Sequence, residues 1–289
     1  MKLKIMLCTA VLICFSLAKN SYAEEIKDAH KVETQKEVTL QHTETPPVSG
    51  SASAGVFNKY VFRGYELSSS SFVIQPSVSV SYKWFSASLW GNIDSDEHPT
   101  QSFVPDREGH KSFNETDLTL SYTYAIDKLS MTAGYIYYGT KYTAETEELF
   151  FTAGYDVLLK PVLSVYRDIS EYPGTYINLA LSQSLPVYKD VTLDLGASAG
   201  YFKGDNDYWN TYESTTGAYT GKKYSALHDG MVKAGFTIPV AKNINVQPLV
   251  QYWFPLSDRA ERTVENSSYN HNGKLDDTVV TGINLTMNF

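Results

Sequence analysis

The chain has 289 residues, with 32 Asp and Glu against 24 Lys and Arg and a formal net charge of -8. Such an acidic chain is unsuited to nucleic acid, whose phosphates require a basic surface. The two cysteines, Cys8 and Cys14, both lie in an apolar N-terminal segment. A disulfide framework, a thiolate metal site and a cysteine nucleophile are therefore excluded from the rest of the chain.

Residues 1–23 are predicted to be a secretory signal peptide. Lys2 and Lys4 precede the apolar run Ile5–Ala18, and residues 21–23, Ser-Tyr-Ala, provide an A-x-A-like cleavage site. The run is shorter than the roughly 20 apolar residues that a spanning helix needs, and no comparable run follows. We therefore expect an exported protein that is not a helical membrane protein.

Residues 24–50 are predicted to be a disordered periplasmic arm. They are rich in Glu, Lys, Thr and Gln, contain Pro46 and Pro47, and lack a sustained apolar face. A short helix over Glu25–Lys36 is the alternative. Residues 51–289 are then predicted to form one domain, a length that suits a single barrel.

Beyond the arm, apolar and polar residues alternate in about twelve separate stretches, which is the period of a β-strand. In the last stretch Val279, Ile283 and Leu285 share one face with the terminal Phe289, and small polar residues occupy the other. An earlier stretch sets Leu118, Leu120 and Tyr122 against Asp117, Thr119 and Ser121. We predict an all-β fold, a transmembrane antiparallel up-and-down β-barrel of about 12 strands, with a range of roughly 10 to 14. A soluble β-sandwich is the alternative.

Short and long links alternate along the chain, as expected when tight turns lie on the periplasmic side and loops outside. An even strand number then places both termini in the periplasm. The short links are residues 83–84, 127–128, 158–161, 186–190 and 239–243. The long links are residues 63–70, 94–113, 139–144, 169–174, 203–229 and 255–276.

Aromatic residues cluster near the predicted links, where the girdles of a membrane barrel should lie. We expect contact with outer-membrane lipid and lipopolysaccharide, and recognition of the terminal Phe289 by the barrel-assembly machinery, as in bacterial outer-membrane barrels that end in Phe. The predicted location is therefore the bacterial outer membrane. Near the long loops the girdle residues are Phe57, Tyr60, Phe62, Phe72, Tyr135, Tyr137, Tyr176, Tyr201, Tyr252 and Phe254.

The segment Asn58-Lys59-Tyr60-Val61-Phe62-Arg63-Gly64, followed by Gln75-Pro76-Ser77-Val78, resembles the opening of a known family. This is the Gcw-type family of proteobacterial conserved hypothetical outer-membrane β-barrel proteins, described as candidate porins. Residues 89–94, 115–118 and 134–138 fit the same pattern. The resemblance implies a barrel and a pore without a known substrate, and it does not extend to the arm or the two longest loops.

The inward face of the predicted strands is rich in Ser and Thr, which indicates a narrow water-filled passage for small polar solutes. A sealed lumen, plugged by the arm or by loops folded inward, is the alternative. Because lumen charges are few and lack an arginine ladder, we expect weak cation preference or none. The candidate pore-lining residues are Trp90, Asn92, Asp117, Asp156, Asp194, Lys233, Gln247, Gln251 and Trp253.

The barrel could also serve two other functions. A closed barrel could act as a binding or structural protein through the loop that carries Tyr208, Trp209, Tyr212 and Tyr219. An outer-membrane hydrolase is a remote alternative, because Asp94, Asp96 and the His228-Asp229 pair only weakly resemble an omptin-type site, with the second pair adjacent and reversed.

No catalytic residue, cofactor or metal ligand is predicted. The histidines His98, His110, His228 and His271 are placed in loops, where we expect them to be solvated. The acidic run Asp205-Asn206-Asp207 is interpreted as solvated rather than calcium-binding, since its spacing is too short for a known calcium loop.

Overall fold

The computed structural model describes residues 48–98, 108–213, 215–265 and 275–289. The predicted signal peptide and nearly all of the predicted arm lie outside these residues. Within them, no helix is long and apolar enough to cross a membrane.

Twelve antiparallel strands form a closed barrel in which each strand pairs with its neighbours along the chain. The ring closes where the first strand, Ser49–Phe57, pairs with the last, Thr278–Asn288, on one side and with Val73–Tyr82 on the other. This confirms the predicted fold and strand number. The barrel strands are β1 (Ser49–Phe57), β4 (Val73–Tyr82), β5 (Phe85–Asp94), β6 (Ser112–Ile126), β7 (Leu129–Thr140), β8 (Thr146–Tyr155), β9 (Val162–Asp168), β10 (Gly174–Tyr188), β11 (Val191–Gly204), β14 (Ser225–Ala241), β15 (Ile244–Pro255) and β16 (Thr278–Asn288).

Further short elements lie in the connections at one end of the barrel. They are β2 (Val61–Phe62), β3 (Tyr65–Glu66), a 3-10 turn (Asp207–Trp209), β12 (Asn210–Tyr212), β13 (Tyr219–Lys223) and helix α1 (Asp258–Glu265). We call this the loop end. The opposite, turn end carries the short links and both ends of the barrel chain, since the Gly50 N–H donates to the Phe289 carbonyl at 2.8 Å. The periplasmic assignment of the turn end stays a prediction.

Tight turns at the turn end force several residues into the left-handed region. Lys83, Asp127 and Lys189 have φ values of 55°, 50° and 48°, as short hairpin connections require. These turns fix the register of the hairpins that they join. In the closing strand, Ile283 is 55% exposed and pairs with the outward-facing Val56, whereas Asn284 pairs with Gly55 on the inner face. The barrel therefore presents an apolar outer belt and a polar inner wall.

Candidate functional site

The connection between β1 and β4 does not extend away from the barrel but folds into it. Its centre is a two-residue hairpin in which β2 pairs with β3 and Phe62 lies opposite Tyr65. Arg63 and Gly64 form the turn with φ values of 48° and 81°, and a turn with two positive φ values matches the twist of a tight hairpin. We call residues 59–67 the lumen hairpin.

Ring contacts show that the lumen hairpin crosses the barrel. The Tyr60 ring lies 5.4 Å from that of Trp90 on β5, near the start of the hairpin. The Tyr65 ring lies 4.9 Å from that of His228 on β14. At the tip, Arg63 contacts β8, β9 and β10, the strands farthest around the ring from β1. The hairpin therefore narrows the lumen at its level.

The tip is held by a buried ion pair. Arg63 Nη1 and Nη2 donate to the two carboxylate oxygens of Glu148, each at 2.7 Å. The two side chains are only 12% and 7% exposed. Burial alone would lower the pKa of Arg63, but the Glu148 carboxylate outweighs it and raises the pKa above its usual value. The guanidinium therefore stays charged, in the two-pronged geometry that Arg and carboxylate favour.

Three aromatic rings complete the surroundings of the guanidinium. Its central carbon lies 4.7 Å from the Phe62 and Tyr166 ring centroids and 4.6 Å from that of Tyr176. A cation within about 6 Å of a ring centroid is attracted by the ring quadrupole, and more strongly where water is excluded. Arg63 is therefore a cation held in a cage of one carboxylate and three rings.

On β14, a bulge opposite Ala199 and Tyr201 of β11 allows two adjacent residues to be buried on the lumen side. His228 Nδ1 lies 2.7 Å from the Tyr224 hydroxyl, and the Tyr176 hydroxyl donates to Asp229 at 3.0 Å. His228 is 1% exposed, so the expectation of a solvated loop histidine is wrong for it. The prediction that the chain has no catalytic residue stays a prediction.

Polar contacts anchor both ends of the lumen hairpin. The Lys59 ammonium donates to Glu66 and to Thr278 on β16, each at 2.9 Å. Just beyond the hairpin, the Ser68 and Ser71 hydroxyls donate to the two oxygens of Asp94, each at 2.6 Å. Both carboxylate oxygens of Asp94 therefore accept hydrogen bonds from the connection between β1 and β4.

The hairpin separates two cavities of the lumen, and both are lined by Phe62, Arg63 and Tyr138. A cavity of about 140 Å³ on the loop side also contacts Glu115, Glu148 and Asp168. A cavity of about 570 Å³ is lined by residues of the barrel wall. These wall residues include Trp90, Asp117, Thr119, Tyr166, Tyr176, Asn178, Ser198 and Trp253.

Toward the turn end the lumen wall is different, because it is built from small hydroxyl side chains. Ser53 bonds Ser77 across two strands at 2.8 Å, and Thr123 bonds Thr132 at 2.9 Å. Asp194 accepts hydrogen bonds from Ser184, Thr192 and Thr237 at 2.6, 3.2 and 2.6 Å. This part of the wall is therefore built from small polar side chains, which can also bond to water.

Strand register places eight of the nine candidate pore-lining residues on the inner face. Trp90 pairs with Asp117, Lys233 with Gln251, and Met231 with Trp253. Asn92, Asp194 and Gln247 occupy inner positions of their strands. Asp156 does not: it follows the last residue of β8, its side chain is 73% exposed, and it pairs with Lys160 in the turn. The strand ends before alternation can turn this carboxylate inward. A role of the other eight in conduction stays a prediction.

Sequence reasoning missed the lumen hairpin and its partners. Tyr60, Phe62 and Tyr176 were expected in an aromatic girdle, but they contact groups inside the barrel. Glu115 and Glu148 are not among the predicted pore-lining residues, because the sequence alone does not show that carboxylates near a strand end face the lumen. One signal is present in the sequence: the aromatic residues Tyr60, Phe62 and Tyr65 flank an Arg-Gly dipeptide at the start of a predicted long link.

The acidic run in the long loop also has partners. Asp205 pairs with Arg167 and with Lys203, the latter at 3.7 Å. Within the described residues, no group of His, Cys, Asp or Glu has the arrangement of a metal site.

Comparisons with known proteins agree only at the level of architecture. No family model matches the chain, and no curated protein is significantly similar to it. Among solved structures, the NanC porin is 10% identical, with 82% of this chain and 98% of that chain covered and a TM-score of 0.47. The KdgM porin is 12% identical, with coverages of 83% and 99% and a TM-score of 0.48. An outer membrane channel from Pseudomonas putida F1 is 10% identical, with coverages of 88% and 100% and a TM-score of 0.49.

At these identities and TM-scores the similarities carry no argument about a solute, and the resemblance of residues 58–64 to the Gcw-type family stays a prediction. The class follows from the chain's own geometry. A closed antiparallel barrel with an exposed apolar belt and a polar interior is the architecture that satisfies every backbone group in a bilayer. The chain is a transmembrane β-barrel of the bacterial outer membrane.

Proposed function

We propose that the protein is a porin-like channel for passive diffusion of small polar solutes, with the lumen hairpin as its constriction. The observation that carries this proposal is the polar inner wall, which runs from the turn end to the cavity of about 570 Å³ below the hairpin. Diffusion requires no catalytic group, only a wet path of suitable width. The proposal includes the partners that the sequence predicts. They are small polar solutes, outer-membrane lipid and lipopolysaccharide, and the barrel-assembly machinery that recognises Phe289.

The charges at the constriction support a preference for cations. Glu115, Asp117 and Asp168 lie near the hairpin, while Arg63 is already paired with Glu148. Carboxylates that line a pore favour cations. A reversal potential measured across a salt gradient should therefore show weak to moderate cation selectivity, and clear anion selectivity would contradict this part of the proposal.

A second candidate is a closed-lumen barrel that acts through its outer loops. Two observations favour it: the hairpin crosses the lumen, and Phe202, Trp209 and Tyr224 form a buried cluster at the loop end. The neighbouring Tyr219 is 49% exposed and available to a ligand or surface component. This protein would bind through its loops without conducting solutes.

Liposome swelling with sugars of graded size separates the two candidates. The test variant replaces residues 59–67 with a Gly-Ser linker of equal length, and the control makes the same kind of replacement in residues 215–218, between β12 and β13. We expect the wild type and control to admit only the smallest sugars and the hairpin variant to admit larger ones. Permeability in the hairpin variant alone would favour the closed barrel, and no permeability in any of the three would overturn the channel.

A further inference from the structure

We propose that the lumen contains a binding site for small organic cations, such as solutes with a trimethylammonium group, centred on Asp117. The proposal deepens the proposed function by naming a solute class for the same lumen. It is tested by binding in detergent, so that its outcome does not depend on whether the barrel conducts.

Strand register places Asp117 between two aromatic side chains. It lies directly opposite Trp90 on β5 and directly opposite Tyr138 on β7, all on the inner face. Residues directly opposite on adjacent strands have Cβ atoms about 4.5–5.5 Å apart. Tyr60 of the lumen hairpin adds a third ring, 5.4 Å from that of Trp90 and inclined to it by 52°. The carboxylate is therefore flanked by ring systems.

Carboxylate oxygens in this region are left without partners. Asp117 Oδ1 and Glu115 Oε2 are buried, and neither accepts a hydrogen bond from the part of the chain that the structure describes. Glu115 is 5% exposed, and the Tyr60 hydroxyl donates to its other oxygen at 3.4 Å. A buried acceptor without a donor costs free energy, and the cost is larger for a charged group. A ligand cation would offset the negative charge of these carboxylates.

Among the described residues, Arg63 is the cation that lines the same cavity as Asp117, and its charge is already paired. The Arg63 guanidinium is engaged by both oxygens of Glu148. Asp194 provides the contrast within the same lumen, because three hydroxyl groups donate to its carboxylate. Asp117 thus differs from Asp194 in having one oxygen without a hydrogen-bond donor and aromatic rings beside it.

The barrel already holds one cation by the same chemistry. The cage around Arg63 combines a carboxylate with three rings at 4.6–4.7 Å from the guanidinium carbon. Around Asp117 the carboxylate and rings are present, and they line a cavity of about 570 Å³. Pockets of about 300–1,000 Å³ are typical of small-molecule sites. A quaternary ammonium group would lie against the rings with its charge directed at Asp117.

The test compares choline with its neutral isostere 3,3-dimethyl-1-butanol, in which carbon replaces nitrogen. Binding to the full barrel in detergent is followed by tryptophan fluorescence, since Trp90 and Trp253 line the cavity, and by calorimetry. We expect choline to bind at least about tenfold more tightly than the isostere, because the attraction of a desolvated cation to aromatic rings is worth more than about 1.4 kcal/mol. Absence of choline binding, or equal binding of the two, would overturn the proposal.

Variants locate the site. Asp117→Asn should weaken choline binding about tenfold or more, whereas Asp194→Asn removes an equal charge from the same lumen and should leave it unchanged. Trp90→Phe should retain more binding than Trp90→Leu, because only the former keeps a ring. Equal loss in the two aspartate variants would show nonspecific attraction and overturn the site. Should Asp117→Asn fail to give a folded band on a heat-modifiability gel, the Trp90 pair decides. Liposome swelling remains a separate test of the channel.

Discussion

The two halves of the lumen use polar side chains in opposite ways. Toward the turn end, hydroxyl groups bond one another across strands, as Ser53 does with Ser77, and bulky side chains are few. Toward the loop end, the wall carries charged groups and rings that enclose the lumen hairpin, with Arg63 and Glu148 buried against each other. The same strand alternation thus produces a wet wall in one half and a packed interior in the other.

The two halves differ in whether lumen water can replace a hydrogen-bond partner that a substitution removes. A wall serine that loses its partner can bond to lumen water, so its contribution to stability is small. A buried guanidinium that loses its carboxylate has no such replacement, and the cost of leaving it unpaired is high. We therefore expect substitutions in the loop half to move the lumen hairpin and those in the turn half to leave it in place.

The largest effect should come from Glu148→Gln. This change leaves the Arg63 charge buried without a counterion, which costs about 3–5 kcal/mol when one partner of a buried pair is removed. The barrel can avoid that cost by releasing the hairpin. We expect faster cleavage at Lys59 or Arg63 by trypsin in detergent, and a larger single-channel conductance.

The double variant Arg63→Met with Glu148→Met is the matched control. Replacing both partners of a buried pair with apolar side chains of similar volume is often neutral or stabilising, and Met also suits the aromatic surroundings. The double variant should therefore keep residue 59 protected from trypsin. A hairpin released equally in both variants would show that the ion pair does not hold it.

A smaller effect is expected from Gly64→Ala. Its φ of 81° disfavours any side chain, and an added Cβ would lie 2.1 Å from Leu275 Cδ1 and 2.8 Å from Asp229 Cβ. Backbone strain and overpacking each cost about 1–3 kcal/mol. We expect partial trypsin sensitivity of the hairpin and a modest rise in conductance.

Gly217→Ala is the control that introduces backbone strain without a steric contact. Gly217 also has a positive φ, 66°, but an added Cβ there would meet no atom of the described residues within 4 Å. The Gly217→Ala substitution should therefore cost only the free energy of backbone strain, and it should leave trypsin sensitivity and conductance unchanged. A Gly64→Ala barrel that behaves like Gly217→Ala would mean that the hairpin does not approach Asp229 closely.

The barrel itself could be predicted because alternation is a local property of the sequence. Val279 to Phe289 show both faces of their strand without reference to any other part of the chain, and tight turns fix how far each strand runs. The predicted strand number and antiparallel order are confirmed. Asp156 shows the limit of the method, because one residue beyond the end of a strand the alternation no longer determines direction.

The lumen hairpin could not be predicted in the same way. An aromatic residue near a strand end can lie either at the lipid interface or inside the lumen. The sequence around Tyr60 and Phe62 is compatible with both locations. The partner that decides for Arg63 is Glu148, 85 residues away along the chain, and its position depends on ring closure. Likewise, the burial of both His228 and Asp229 follows from a bulge that alternation does not show.

The smallest effect is expected from Ser53→Ala in the turn half. The substitution removes a 2.8 Å hydrogen bond to Ser77, but the remaining hydroxyl faces a lumen where water can replace it, so the cost should lie near the lower end of the range of about 0.5–1.5 kcal/mol. Conductance, trypsin sensitivity and the temperature at which the folded gel band is lost should match the wild type. If Ser53→Ala instead released the hairpin as Glu148→Gln does, the turn half would be as tightly packed as the loop half, and a wet wall leading to a single constriction would have to be abandoned.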